Sequence, residues 1–298
     1  MPQVDINIKR GNPDARKDLV DFWKDENPLS NLENNLTPIS INEENKWGFK
    51  PDIENDVIIP IGKDDKGYTL FDFNQGYNLI AGGSMLSGAG MFKRVSLLHL
   101  LKNYSSEKVK VILLDTTNQM GGFDKSKYLL FPRATKKEDC IKLLDWCQKE
   151  SDRRCDILEK NEKPWVSSYN KYKKDNEEFI PSIFVFISEL GDILSEENGL
   201  KSIIRISQLT RATLIHFIIT TQRPNTETMS DLIKANFYNR IAFQMPYKEE
   251  SELFIVQAGA EELLGQGDML FKDSNDKIHH LQGLFFLEDN IKDFNANI

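Results

Sequence analysis

The strongest constraint on the fold comes from apolar runs that are continuous rather than alternating. SIFVFI at residues 182–187 and LIHFIITT at residues 214–221 contain no charged side chain apart from the imidazole of one histidine. Continuous runs of this kind are typical of strands buried on both faces of a sheet. Because such strands alternate with helical patterns, the sequence predicts an α/β domain with a largely parallel sheet.

The predicted elements follow one another from Val57 onward. VIIPIG and YTLFDF form two short strands joined by the turn KDDKG, and GDMLFK and IHHLQGLFF form paired edge strands near the end. Between them, five buried strands (YNLIAG, KVKVILLDT, IPSIFVFISE, LIHFIITTQ and NRIAFQM) alternate with five helices (MFKRVSLLHLLKNY, CIKLLDWCQKESDRRCDILEK, residues 199–212, TETMSDLIKAN and KEESELFIVQAG). On the first of these helices, one apolar face is predicted to hold Met91, Val95, Leu98 and Leu101.

The first part of the chain is polar and weakly patterned. We assign residues 1–55 to a leader or linker and residues 56–298 to the main domain. Within the leader, the pattern of DARKDLVDFWKDE allows a short helix with an apolar stripe of Leu19, Phe22 and Trp23.

Composition narrows the classes of function. The net charge of −8 argues against binding of nucleic acid through its phosphate backbone, which usually requires a basic face. No window approaches 18 uncharged apolar residues, so these residues are not predicted to span a membrane. Cys140, Cys147 and Cys155 lie without a CxxC pair in a predicted helix, which favours free thiols.

A glycine-rich stretch, IAGGSMLSGAGMFK at residues 80–93, has the frame of a phosphate-binding loop. It follows a buried strand, opens a helix and spaces its glycines as G-x4-G, so that backbone amides can converge on a phosphate. A tight glycine turn explains the same sequence equally well. The predicted cofactor-binding residues are Gly83, Ser84, Ser87, Gly88, Ala89 and Gly90.

The two side chains that work in such a loop are absent. Ala89 stands where a lysine would neutralise phosphate charge, and Gly90 stands where a Ser or Thr hydroxyl would hold Mg²⁺. Lys93 and Arg94 lie about one turn further along the helix and are expected to point away from the phosphates.

A second altered position follows the strand SIFVFI. Ser188 stands where a P-loop ATPase has its Mg²⁺-ordering Asp, and Glu189 keeps the position of the residue that activates water. Without the lysine and the metal, most of the charge stabilisation for phosphoryl transfer is lost. We therefore expect ATP hydrolysis to be absent or very slow and Mg²⁺ not to be used. Binding of ATP through backbone amides remains open.

Longer segments resemble the FtsK/SpoIIIE-type motors. RATLIHFIITTQRPNTETMSDLIKANFYNRIAF, AGAEELLGQGDMLF and WCQKESDRRCDIL resemble conserved segments of that family and come in its order between residues 57 and 287. The resemblance implies a three-layer, RecA/FtsK-like P-loop NTPase fold with a mainly parallel central sheet. Within the family, the chain is most similar to the degenerate C-terminal ATPase module of EssC/EccC, from type VII secretion.

The resemblance also implies roles for single positions. Thr221 and Gln222 occupy the sensor at the end of a strand, and Glu189 the vestigial water-activating position. Arg153 and Arg154 occupy the segment that supplies an arginine finger to a neighbouring subunit, although surface or intrachain pairing explains them equally well. Leu214 replaces the family's Gly before Ile-His. GAEELLGQGD is interpreted as a helix end and a glycine turn without chemistry.

The function implied is that of a module that does not hydrolyse ATP and regulates neighbouring ATPase modules. It would dock secreted small helical Trp-x-Gly proteins or other type VII substrates, with no nucleic acid, in a hexameric membrane-anchored machine on the cytoplasmic side of the bacterial cell membrane. Candidate residues for a substrate pocket, each of which also fits a plain core, are Phe237, Tyr238, Leu253 and Phe254. Two alternatives stay open, an active ATP-driven translocase of DNA or protein and a purely structural tier of a ring.

Overall fold

A computed structural model describes residues 57–75, 77–174, 177–196 and 198–284. The predicted leader at residues 1–55, with its helix around Leu19, Phe22 and Trp23, lies outside these residues. None of the described helices combines the length and the apolar character needed to cross a bilayer.

The described residues form one nine-stranded sheet and seven α-helices. The strands are β1 (Ile58–Asp64), β2 (Gly67–Asp72), β3 (Leu79–Gly82), β4 (Val109–Leu114), β5 (Ser182–Ile187), β6 (Ile215–Thr221), β7 (Asn239–Phe243), β8 (Asp268–Lys272) and β9 (Ile278–Gly283). The helices are α1 (Ala89–Asn103), α2 (Lys137–Lys160), α3 (Val166–Tyr172), α4 (Leu190–Leu194), α5 (Gly199–Thr213), α6 (Asp231–Asn236) and α7 (Lys248–Ile255).

The sheet has the strand order β2-β1-β9-β8-β7-β3-β6-β5-β4. The five strands from β7 to β4 are parallel, and the other four are added by antiparallel pairing. This confirms the predicted α/β fold with a parallel core. β8 and β9 pair as expected, but they are not edge strands, because β9 also pairs with β1.

Both faces of the parallel strands are buried, as continuous apolar runs require. Alternate residues of one strand enter different apolar clusters: Leu79 and Ala81 pack on the side of α1, whereas Ile80 packs on the side of α2 and α5. The sheet is therefore the middle layer between helices, and its strand ends are left to build a site.

Three local expectations differ from the structure. The predicted helix TETMSDLIKAN is reduced to the six residues of α6, while α3 and α4 had no predicted counterpart. Residues 96–101 of α1 are buried on all sides rather than on one face, because β1 covers them. The Tyr104 hydroxyl, directly after the helix, accepts from Ile58 N at 2.7 Å and donates to Ile58 O at 3.0 Å.

Two sequence details have clear structural positions. Leu214 ends α5 with φ +53°, a left-handed conformation that favours glycine. The cysteines are free thiols as predicted, with Cys140 and Cys147 buried and Cys155 partly exposed.

Candidate functional site

The candidate site lies where the carboxyl ends of four parallel strands meet. In the register of the sheet, Gly82 at the end of β3 pairs with Thr221 at the end of β6, and β5 and β4 follow on the same side. Ligands of open α/β sheets bind at this edge, outside the carboxyl ends of the strands. The segments that follow these strands therefore supply the site.

The loop after β3 is held by backbone hydrogen bonds to its neighbours. The amide of Gly83 donates to Thr221 O at 3.2 Å, and that of Ser84 donates to Gln244 O at 2.8 Å. Leu86 and Gly88 have φ values of +66° and +131°, so the chain curls through left-handed conformations before the helix. This is the geometry in which successive amides form a concave anion-binding surface.

Two features of the loop leave polar groups for a ligand. Helix α1 begins directly after Gly88, whose position has no side-chain cap, and the first amides of an α-helix have no intrahelical acceptor. The Ser87 hydroxyl is buried and has no hydrogen-bond partner among the described residues. An anion at this helix N-terminus would satisfy these donors.

A segment from the far end of the domain closes over the loop. Gly267 N donates to Ser87 O at 2.8 Å, and Gly283 N donates to Gly267 O at 2.7 Å. A Cβ on Gly88 would lie 2.8 Å from the Gly267 Cα, so this approach requires glycine at position 88, and Gly267 has a φ of +94° that favours glycine. The glycine turn expected in GAEELLGQGD is thus also a contact with the loop, and its paired glycines are the sequence signal for a close backbone approach.

Ser188 and Glu189, which follow β5, are both engaged within the chain. The Ser188 hydroxyl accepts from Thr117 N at 3.3 Å. The Glu189 carboxylate accepts from the Thr221 hydroxyl and from Gln222 N, each at 2.8 Å. The predicted water-activating and sensor positions are thus brought together, and the carboxylate joins the ends of β5 and β6.

Contrary to expectation, the Lys93 side chain points into the site rather than away from it. Its ammonium is fully buried and donates to Gln119 Oε1 at 3.1 Å and to Thr220 Oγ1 at 3.3 Å. Side chains on a helix lean toward its N-terminus, so the long lysine reaches back over the preceding turn. Burial lowers the pKa of Lys93 to about 8, against the opposing effect of the Asp115 and Glu189 carboxylates.

Asp115, at the end of β4, belongs to the same site and was missed in the sequence. It is fully buried and accepts from Gln119 N at 3.0 Å, from Met120 N at 2.8 Å and from the Arg133 guanidinium at 2.8 Å. These bonds shape the turn that brings Gln119 to Lys93. The signal was an acidic residue that directly follows the second buried strand, in KVILLD.

The two arginines predicted to supply a finger have different surroundings. Arg154 is 1% exposed and donates to Thr213 O at 2.6 Å and to Glu150 at 2.8 Å, which ties α2 to the end of α5. Arg153 is half exposed and pairs with the same Glu150. Only Arg153 presents its guanidinium to a neighbouring molecule, and its role as a finger stays a prediction.

The four residues predicted for a substrate pocket do not share one environment. Phe237 and Phe254 are fully buried in the apolar cluster on the α2 side, and the Phe254 ring lies directly under Gly82. Leu253 packs partly against the same cluster, whereas Tyr238 is 53% exposed. The two buried rings therefore serve the packing of the sheet.

Most of the residues that build this site lie within the profile of a known protein family. Residues 54–258 match the profile of the FtsK/SpoIIIE family. A relative from Clostridium tetani, the DNA translocase FtsK, is 30% identical over 264 residues, which cover 86% of this chain and 36% of the relative. The chain thus spans about a third of the length of this curated relative.

Two solved structures have the same fold. The conjugation coupling protein TcpA of pCW3, in a monomer form with ATPγS, has a TM-score of 0.68 at 23% identity, covering 81% of this chain and 70% of TcpA. EssC from Geobacillus thermodenitrificans, ATPases 2 and 3, has a TM-score of 0.68 at 16% identity, covering 81% and 47%. At these identities the likeness shows the fold.

The predicted partners were wrong. We expected secreted helical proteins and no nucleic acid, whereas the relatives at about 30% identity are named DNA translocases. The expectation failed because net charge sums over a whole surface, while contact with phosphates requires only a local basic strip.

Proposed function

Because the chain belongs to the FtsK/SpoIIIE family, we propose that it is a nucleotide-binding module of a DNA-translocating or DNA-transfer machine, with little or no ATP hydrolysis of its own. In this role the bound nucleotide changes the contacts that the module makes with neighbouring modules and with DNA. The energy for movement comes from ATPase modules that retain their full set of side chains.

The observation that carries the nucleotide site is the retained backbone of the loop at residues 83–88. Its left-handed residues, the uncapped start of α1 and the buried, unpartnered Ser87 hydroxyl form an anion site that does not depend on side chains of the usual P-loop type. Packing of Gly267 on Gly88 keeps this shape in place. A mere connection between β3 and α1 would not require it.

The lack of hydrolysis is supported by three positions and one set of hydrogen bonds. Ala89 and Gly90 supply neither a cation nor a hydroxyl, and the Ser188 hydroxyl is bonded within the chain. Glu189 is bonded to Thr221 and Gln222, so part of its capacity to accept from an attacking water is already used within the chain. Positioned charge is the main source of catalysis in phosphoryl transfer, and the usual P-loop lysine and metal ligands are missing here.

The choice of DNA is supported by the relatives rather than by the site. Chains about 30% identical to this one carry the name DNA translocase, and they match 79% or more of it. The residues of the nucleotide site do not themselves distinguish DNA from another polymer that a neighbouring module moves.

A second candidate is a regulatory module of a type VII secretion machine, in a membrane-anchored chain on the cytoplasmic side of the cell membrane. It is favoured by the fold that this chain has in common with EssC. The two candidates differ in one measurable property, which is affinity for duplex DNA.

The nucleotide part is tested by titrating fluorescent ATP against the chain and by following phosphate release in a single turnover. We expect saturable binding competed by unlabelled ATP, and phosphate release no faster than in buffer. Phosphate release that Glu189→Gln abolishes would refute the loss of hydrolysis. A matched test of the loop is Gly88→Ala, which should remove binding because its Cβ meets Gly267.

The DNA part is tested by fluorescence anisotropy with a labelled duplex in a series of salt concentrations. The logarithm of the affinity for DNA phosphates falls linearly with the logarithm of the salt concentration, which separates contact with the DNA backbone from salt-independent adhesion. Affinity with such a slope supports the DNA machine. Duplex binding that is absent with and without nucleotide would favour the secretion module instead.

A further inference from the structure

The Lys93 ammonium lies between the two positions that would hold a metal in a related ATPase. One of its acceptors, Gln119 Oε1, lies 3.2 Å from the point where a Cβ on Gly90 would be. The other, the Thr220 hydroxyl, donates to Ser188 O at 2.7 Å. The ammonium is therefore separated by one hydrogen-bonding residue from Gly90, which replaces the hydroxyl ligand, and from Ser188, which replaces the acidic ligand.

The donor set at this place does not suit Mg²⁺. A magnesium ion requires oxygen ligands in an octahedral arrangement, usually including a carboxylate. Gly90 offers no oxygen side chain, and the amide of Gln119 fills the space above it. Ser188 supplies no carboxylate, and the nearby Asp115 and Glu189 carboxylates are hydrogen-bonded within the chain. A dication would also be repelled by the positive charge of Lys93.

The buried ammonium has opposite charges within its range from two elements. Asp115 at the end of β4 and Glu189 at the end of β5 both favour its protonated form, and Arg94 on its own helix opposes it. A lysine ammonium has three donors, and the described residues take two of them. The third donor has no acceptor among the described residues, so it remains for a phosphate oxygen.

We propose that Lys93 takes the place of the metal, so that this chain binds a nucleoside triphosphate without a divalent cation. The lysine missing from position 89 and the magnesium ion are then replaced together by one side chain, four residues further along α1. This inference rests on the proposed nucleotide site. It adds that the cation beside the phosphates is part of the chain.

The test is equilibrium binding of radiolabelled ATP in excess EDTA and in excess Mg²⁺. Because excess Mg²⁺ also sequesters free ATP, we expect the affinity in EDTA to equal or exceed that in Mg²⁺. Lys93→Met should lose roughly ten- to hundredfold in EDTA, as for removal of a charge-assisted hydrogen bond. Lys102→Met is the matched control, because it removes the same charge from an exposed position of the same helix. It should bind ATP like the parent chain.

The outcomes separate this inference from the proposed function. Wild-type affinity that falls tenfold or more in EDTA would overturn the replacement of the metal while leaving the nucleotide site intact. No ATP binding in either buffer would overturn both. Equal loss in Lys93→Met and Lys102→Met would show a general effect of charge and would also overturn the role of Lys93.

A reciprocal variant tests the same idea from the other side. Restoring Ala89→Lys, Gly90→Ser and Ser188→Asp together should make ATP binding depend on Mg²⁺ only when Lys93→Met is added. Metal dependence in the triple variant with Lys93 in place would contradict the inference. Thermal melts of each variant establish that it is folded before binding is compared.

Discussion

Replacement of the buried lysine by methionine, Lys93→Met, should make the nucleotide-free domain more stable at neutral pH. The ammonium has no exposed surface, and burial lowers its pKa from the ordinary 10.5 to about 8 despite the nearby carboxylates. At about 1.4 kcal/mol for each tenfold change in protonation, the charged form costs the folded state roughly 3 kcal/mol. Methionine has a similar length and carries no charge to desolvate.

Removal of the lysine takes a donor from the Gln119 amide oxygen but leaves both nearby carboxylates hydrogen-bonded. Asp115 keeps its bonds from the Arg133 guanidinium and from two backbone amides. Glu189 keeps those from Thr221 and Gln222. The penalty of stranding a buried charge, which often makes such substitutions destabilising, is therefore avoided.

The sign of the pH dependence follows from the lowered pKa of Lys93. Between about pH 8 and pH 10.5 the unfolded chain still binds the proton that the folded chain has released, so the free energy of unfolding rises with pH. The wild-type chain should gain most of roughly 3 kcal/mol across this window. Lys93→Met should have gained it already at neutral pH and should lack this rise.

The assay is urea unfolding followed by circular dichroism at about pH 7 and about pH 9.5, with Lys102→Met as the control for net charge. We expect the difference between Lys93→Met and wild type to be largest at the lower pH and to shrink at the higher one. A variant that is less stable than wild type at neutral pH would refute the reasoning. So would a difference that does not depend on pH.

Three further predictions concern other parts of the fold. Gly88→Ala should lower the free energy of unfolding by at least about 2 kcal/mol more than Gly67→Ala, because both have positive φ but only Gly88 faces backbone; equal losses in urea unfolding would contradict this. Arg154→Met should cost roughly 2–4 kcal/mol and Arg153→Met under about 1 kcal/mol, since only the first leaves a buried carbonyl unpaired; similar thermal melts would argue against it. The hydrogen bond with Asp268 raises the pKa of His280. The contribution of this pair to the free energy of unfolding, under about 1 kcal/mol, should therefore be present below pH 6.5 and be lost as the pH rises through the raised pKa. If His280→Asn leaves the pH dependence of unfolding unchanged, this contribution is excluded.

The elements of the parallel core could be predicted because their signals are local. Each buried strand is a short apolar run, and each long helix has its own periodicity, so the types and order of elements follow from neighbouring residues. The six-residue α6 and the added α3 and α4 were predicted poorly, because helices this short depend on their tertiary contacts. The position of β9 between β1 and β8 depends on pairing between distant segments and had no local signal.

The candidate site divides in the same way. The sequence by itself determined the frame of the phosphate loop and the identity of the residues lost from it, since both are matters of spacing and side-chain type. Only the tertiary structure decided where the Lys93 ammonium lies, because its acceptor Thr220 is 127 positions away along the chain. The same holds for the closure of Gly267 over Ser87. Such contacts arise where strand ends converge in space, and the sum of burial, charge and hydrogen bonding at that point exists only in the folded chain.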